Sequence, residues 1–312
     1  MFALRGIAVS LTFFVLLYCL LSVLVAVVWR SLQFLPTSER SRAAMLFGWR
    51  ILPLVSALLI TLAFVLPSFQ ILEPRSIDEG IGYAPLALGA CALLILCFGG
   101  LRVVTALLAT SRVVARWLHS AQAHPHVPAQ SVAVLSAPDA PPLTLVGVFK
   151  PMVVVSESAV ALLSQDELRV AFEHERSHLR SRDNLKKLLF RFCPFPGMSK
   201  LERAWSQSAE LAADDAAVAN LDDAVALASA LVNLSRLVPV ETALVCTVGF
   251  VTGSIGFRVS RLLAWDDVGD SRRPRTRPWY LVAPAVVALW FIFATYGPAL
   301  ALTHEATEWL VR

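Results

Sequence analysis

Four long apolar runs constrain this chain more than anything else in it. They extend from about Ile7 to Trp29, Ile51 to Phe69, Ala84 to Leu101 and Trp279 to Leu302. Each approaches the roughly 20 residues needed to cross a bilayer. A chain of 312 residues would ordinarily suggest two soluble domains. Here 57% of residues are hydrophobic, 16% are charged and the mean hydropathy is +0.66. That is more apolar surface than one compact core hides, so part of the chain is expected to face lipid. The same figures exclude disorder, a collagen-like fibre and a secreted disulfide scaffold. The five cysteines are sparse and odd in number. Cys19, Cys91 and Cys97 fall in apolar runs and read as small buried hydrophobes. The first run is too long for the apolar core of a signal peptide and reads as an anchor. Trp29, Trp279 and Tyr280 occupy the places of interfacial aromatics.

The arginines set the orientation. Arg30, Arg40, Arg42 and Arg50 lie between the first two runs, whereas Arg75, among Glu73, Asp78 and Glu79, stands between the second and third. Arg102, Arg112 and Arg116 follow the third run, and Ser-Arg-Arg-Pro-Arg-Thr-Arg (271–277) precedes the fourth. Positive-inside logic then places both termini outside and residues 103–278 in the cytoplasm, with Arg5 the one dissenting charge. The expected organisation is a three-span region over 1–110, a cytoplasmic domain over 111–277, and a fourth span with a short outer tail over 278–312. A net charge of +4 carried beside apolar segments points to the bilayer as partner, and no direct nucleic-acid binding is expected. Segment 242–257 is uncharged but short and holds Gly249, Gly253 and Gly256. It reads as a buried or membrane-skimming stretch, or else as a movable cover.

Inside the cytoplasmic stretch, His124 and His126 flank a proline in a linker and are not expected to bind metal. Short β-branched runs at 131–135, 143–148 and 151–155 read as strands of a small sheet. Ser164-Gln-Asp-Glu167 is a capping box that opens a helix. A turn around Cys193-Pro-Phe-Pro-Gly197 separates it from a second helix over about 199–220.

The capped helix carries His174-Glu175-Arg-Ser-His178. Histidines four apart share a helix face, so both imidazoles can reach one zinc ion. Glu175 is placed to act as general base on the attacking water. With six histidines in the chain, chance supplies this pattern roughly 0.004 times. A catalytic zinc needs a third protein ligand and an open position. Glu210 on the second helix offers the ligand. Asp214, one turn on, is placed to accept the free N–H of a ligating histidine. Asp183 either caps the helix or serves a histidine in the same way. Arg258 is a candidate for stabilising a tetrahedral oxyanion, whereas Arg261 reads as one more basic residue on a helix face.

These residues, with Gly147-Val-Phe-Lys-Pro151 and Phe192-Cys-Pro194, resemble the BlaR/MecR-type membrane metallopeptidases, the antirepressor proteases of bacterial beta-lactam signalling. The resemblance spans the four runs and the cytoplasmic stretch. It implies a mainly α-helical integral protein of the inner membrane, with an α+β zincin-like (gluzincin-like) domain between spans three and four. By that resemblance His174, His178 and Glu210 are ligands of one zinc per chain, Glu175 is the catalytic glutamate and Asp214 supports a ligand. The implied partner is a cytoplasmic protein, such as a BlaI-like repressor, cleaved in regulated proteolysis. Ten residues follow Leu302 and no Ser-x-x-Lys motif occurs, so a short form without the penicillin-binding sensor is expected. The alternatives are an HtpX-like quality-control protease with the same ligand pattern, and a non-catalytic sensor with a structural zinc site.

Overall fold

The computed structural model describes residues 2–32, 38–74, 82–119, 121–122, 132–135, 141–237, 255–265 and 282–311. The His124–His126 linker, most of segment 242–257, the arginine run 271–277, Trp279 and Tyr280 lie outside them.

The apolar runs become helices longer than the runs themselves: α1 (Phe2–Leu32), α2 (Glu39–Ile60) with α3 (Leu66–Leu72), and α4 (Tyr83–His119). Among the described residues three spans are long and apolar enough to cross a membrane, namely Phe2–Ser31, Glu39–Leu72 and Tyr83–Trp117. Ser38 starts α2 by accepting the Ser41 N–H at 3.3 Å. Between α2 and α3 the backbone widens into a π-helical turn, Thr61–Val65. Pro67 has no N–H to offer Ala63 four residues back. The Tyr296 hydroxyl donates to that carbonyl at 2.8 Å. Tyr296 belongs to α11 (Val282–Val311).

Three expectations change in the bundle. Cys91 and Cys97 are exposed on the outside of α4, where a small apolar thiol suits a lipid-facing surface as well as a core. Trp29 is buried with Phe190, Met198 and Trp205, because the domain that follows docks on the end of α1. Arg5, the dissenting charge, is neutralised by Glu73 at 3.1 Å.

After α4 comes a sheet in the order β1-β2-β4-β3, built from β1 (Ala121–Gln122), β2 (Val132–Leu135), β3 (Leu143–Val146) and β4 (Met152–Ser156). Strands β2 and β4 are parallel, and β3 closes an antiparallel hairpin on β4. Gly147 turns that hairpin at φ +88°; a Cβ there would meet the Lys150 carbonyl at 2.9 Å. Helices α5 (Glu157–Leu162), α6 (Gln165–Ser181), α7 (Asp183–Phe192), α8 (Ser199–Ala217), α9 (Leu221–Leu237) and α10 (Ile255–Leu263) follow. The core between sheet and helices holds Leu145, Val155, Val170, Leu227 and Leu231.

The capping box forms as expected: Ser164 N–H donates to Glu167 at 2.8 Å, and Glu167 N–H donates to the Ser164 hydroxyl at 3.2 Å. Glu167 also accepts from Ser229 and Asn233 on α9, so one carboxylate caps α6 and ties it to a neighbour. Burial would raise its pKa, but the hydrogen bonds from Ser229 and Ser164 outweigh it and leave the pKa below the ordinary value. A depressed carboxylate contributes stability above its unfolded pKa, about 4.3, and loses it as pH falls through the folded value. Glu167→Gln should therefore melt below wild type at pH 7, with the gap shrinking once pH drops under about 4. Thermal unfolding in detergent across pH checks this.

Candidate metal centre

Helix α6 holds His174 and His178 on one buried face, 0% and 1% exposed. Their Nε2 atoms stand 3.2 Å apart. Helix α8 packs against α6 and brings Glu210 to both, 3.6 Å from His174 Nε2 and 3.8 Å from His178 Nε2. These three side chains offer ligand atoms within 4.8 Å of one another. Donors about 2.0–2.1 Å from a tetrahedral zinc lie roughly 3.3 Å apart, so a set two imidazoles and one carboxylate wide fits that ion.

Each histidine has an acid at its other nitrogen. His178 Nδ1 meets Asp183 at 2.7 Å, and His174 Nδ1 stands 3.0 Å from Asp214. Such partners fix the ring and its tautomer, leaving Nε2 for a metal. For Asp183 the local backbone explains how. Helix α6 ends on Arg182 in the left-handed conformation at φ 53°, and the chain restarts immediately as α7. That break folds Asp183 back onto the last turn of α6. Of the two roles open to it in the sequence, the structure gives it the histidine.

The charges are arranged for a cation. Burial would hold His174 neutral, but Asp214 and Glu210 outweigh it and push its pKa up to about 9. Burial would raise Glu210 and Asp214; the hydrogen bond to His174 and the charge of Arg258 outweigh it and hold both below the ordinary carboxylate range. Glu175 is the opposite case. It is fully buried, and among the described residues no side chain hydrogen-bonds its carboxylate. Burial pushes its pKa up, and the charges of His178 and His174 only partly offset that. A raised carboxylate pKa suits a group that must accept and return a proton near neutral pH.

Arg258 on α10 does return to the centre, but onto its acids. It donates through Nε at 2.7 Å and Nη2 at 2.5 Å to Asp214, and through Nη1 at 3.0 Å to Glu210. The oxyanion contact expected from the sequence gives way to a planar fork closed on a carboxylate, which is the geometry guanidinium fits best. Arg258 is thus placed to hold the ligand-bearing helix. Arg261 pairs with Asp215. Arg258→Met should lower stability by about 3–5 kcal/mol, because Asp214 would stay buried without its principal counter-charge. Denaturant unfolding of the purified variant reads this.

Two residues at the site gave no usable signal in the sequence. Asn184, beside Asp183, donates to the carbonyls of Leu145 at 3.2 Å and Gly147 at 2.9 Å, pinning the end of β3 next to α6. Arg50 reads in the sequence as a loop charge but is buried within α2. It donates to Glu202 at 2.8 Å and to the carbonyls of Phe190 and Cys193 at 3.3 and 2.5 Å. Helix α7 therefore carries Asp183 at one end and is gripped by a membrane-bundle arginine at the other.

The observations define a helical membrane protein in which two histidines and a glutamate gather around a buried centre. The model of the BlaR1 peptidase M56 family matches residues 99–262, just over half of the chain and all of these residues. The chain belongs to that family, a family of membrane metallopeptidases. Among curated proteins, none matches this chain.

Proposed function

We propose that this protein is a zinc endopeptidase anchored in a bacterial inner membrane, and that it cleaves a cytoplasmic protein, a transcriptional repressor, in signal-dependent proteolysis. The observation that carries the reading is the convergence of His174, His178 and Glu210 beside a fully buried Glu175. Helix α11 is taken as the fourth span, with both termini outside and a zincin-like domain facing the cytoplasm. The contact of Arg5 with Glu73 at 3.1 Å is consistent with that orientation, since it puts the start of α1 and the end of α3 on the same side.

His174, His178 and Glu210 would hold the ion, with Asp214 and Asp183 fixing the two rings. Zinc, when bound, supplies a Lewis acid for the scissile carbonyl and the attacking water. Glu175 would take a proton from the attacking water and pass it to the leaving amine. Its dry surroundings keep the carboxylate basic enough to accept the proton. A substrate chain would lie extended beside β3, one of the two edge strands of the described sheet, by pairing with its outward backbone groups. The pinning of the Leu145 and Gly147 carbonyls by Asn184 limits that pairing to the start of the strand.

The test compares the proteomes of cells carrying wild type and Glu175→Gln. A cytoplasmic fragment present only with wild type identifies the substrate, and a DNA-binding protein among such fragments supports the repressor assignment. Identical fragment sets under every inducing condition would end the proposal.

A further inference from the structure

The ends of three apolar runs meet at the face of the bundle away from the metal centre. Arg5 stands just before the first run, Glu73 just after the second and His304 just after the fourth. The Thr12 hydroxyl donates to the Pro85 carbonyl at 3.0 Å, so α1 and α4 begin at this same end. The other end of α1 is the one that docks on the domain, where Trp29 packs with Met198 and Trp205. Tyr83 on α4 and Trp309 on α11 are both exposed, which suits aromatics at a membrane–water boundary.

Glu73 divides its carboxylate between two neighbours. Its Oε1 pairs with Arg5 at 3.1 Å, and its Oε2 stands 3.9 Å from His304 Nδ1. Glu308, one turn after His304 on α11, stands 3.6 Å from His304 Nε2. Spacing of four residues puts His304 and Glu308 on one helix face. One donor atom from each of Glu73, His304 and Glu308 lies within 4.8 Å of the other two. The side chains of Glu73 and His304 are only 9% and 18% exposed, unlike the acids of a wet surface. His304 Nδ1 is itself shielded from solvent, and no hydrogen bond reaches it among the described residues. A shielded ring nitrogen facing a carboxylate beyond hydrogen-bond distance leaves the space that a metal ion fills.

We propose that Glu73, His304 and Glu308 bind a divalent metal ion of the zinc class at the end of the bundle opposite the His174 centre. One imidazole nitrogen with two carboxylate oxygens is a donor set for zinc, whereas calcium and magnesium take oxygen ligands alone. Nδ1 of His304 takes the ion together with Oε2 of Glu73, while Arg5 keeps the other Glu73 oxygen and so fixes the carboxylate. Donors around a tetrahedral zinc lie roughly 3.3 Å apart. Glu308, whose side chain is 44% exposed, has the room to swing in and close that spacing. The bound ion ties α11 to α3, the same pair of elements that Tyr296 joins nearer the middle of the bundle through the Ala63 carbonyl. The site needs nothing from the His174 centre, and neither reading depends on the other.

The test uses the full-length purified protein in detergent, stripped with a chelator, titrated with zinc chloride at neutral pH and weighed by native mass spectrometry. Wild type should take up one zinc ion per chain more than His304→Ala. Glu308→Gln changes an exposed side chain and carries the test even if His304→Ala does not fold. It should weaken the same uptake by at least about 10-fold, since losing a ligand costs no less than losing a ligand's support. Glu305→Gln removes the same charge from the neighbouring exposed position on α11 and should change nothing. The reading is a difference between variants, so it holds whether or not the His174 centre is filled. Equal zinc uptake by wild type, His304→Ala and Glu308→Gln would overturn the site. An equal loss in Glu305→Gln would overturn it too, as an adventitious ion only.

Discussion

Replacing Glu175 by Gln should lower peptide hydrolysis by about 10²–10⁴-fold while leaving the metal content unchanged. The substitution keeps shape and volume and removes the basic oxygen. Glu175 does not bond the histidines or their acids, and it lies fully buried with no side chain hydrogen-bonded to its carboxylate among the described residues. Metal binding therefore does not depend on it, whereas proton transfer does. Turnover of a fluorogenic peptide set by purified protein, with zinc read in parallel, separates the two. A variant with undiminished turnover would mean that the base lies elsewhere. Loss of zinc together with activity would mean that Glu175 is itself a ligand.

Glu210→Ala should release most of the zinc, while Asp214→Asn and Asp183→Asn should each weaken it by about 10–100-fold. The difference follows from position. Glu210 faces both Nε2 atoms, at 3.6 and 3.8 Å. Asp214 and Asp183 face the Nδ1 atoms and act through ring orientation and basicity. Competition with a chelator measures all three on one scale. Full zinc retention in Glu210→Ala would transfer the third ligand to another acid. An Asp183→Asn variant indistinguishable from wild type would reduce that residue to a helix start.

The chemistry-bearing part of this chain was legible because it is local. Histidines at 174 and 178 share a face by helical geometry alone, and the capping box at Ser164 and Glu167 fixes where that helix begins. The apolar runs were legible for a related reason, since length and composition suffice to mark a segment for lipid. Even there the run at 7–29 did not reveal that Trp29 is covered by the domain rather than set at the membrane surface. Roles that depend on contacts across the chain were not legible. Arg258 reaches Asp214 over 44 positions, Asn184 reaches Leu145 over 39, and Arg50 reaches Cys193 over 143. In the sequence Arg50 reads as a loop charge, Asn184 carries no signal, and Arg258 is a candidate with no partner named.

By itself the sequence determined a membrane-spanning chain with a paired-histidine helix and an acid-bearing helix after it. Both follow from composition and from the 3.6-residue period, which act within a few residues. Only the tertiary structure decided that Asp183 meets His178, that Arg258 closes on Asp214 and Glu210, and that α7 joins the centre to the membrane bundle. Those outcomes depend on how α6, α7, α8 and α10 pack, because a hydrogen bond needs its partners within about 3 Å and no local pattern fixes that distance between separate helices.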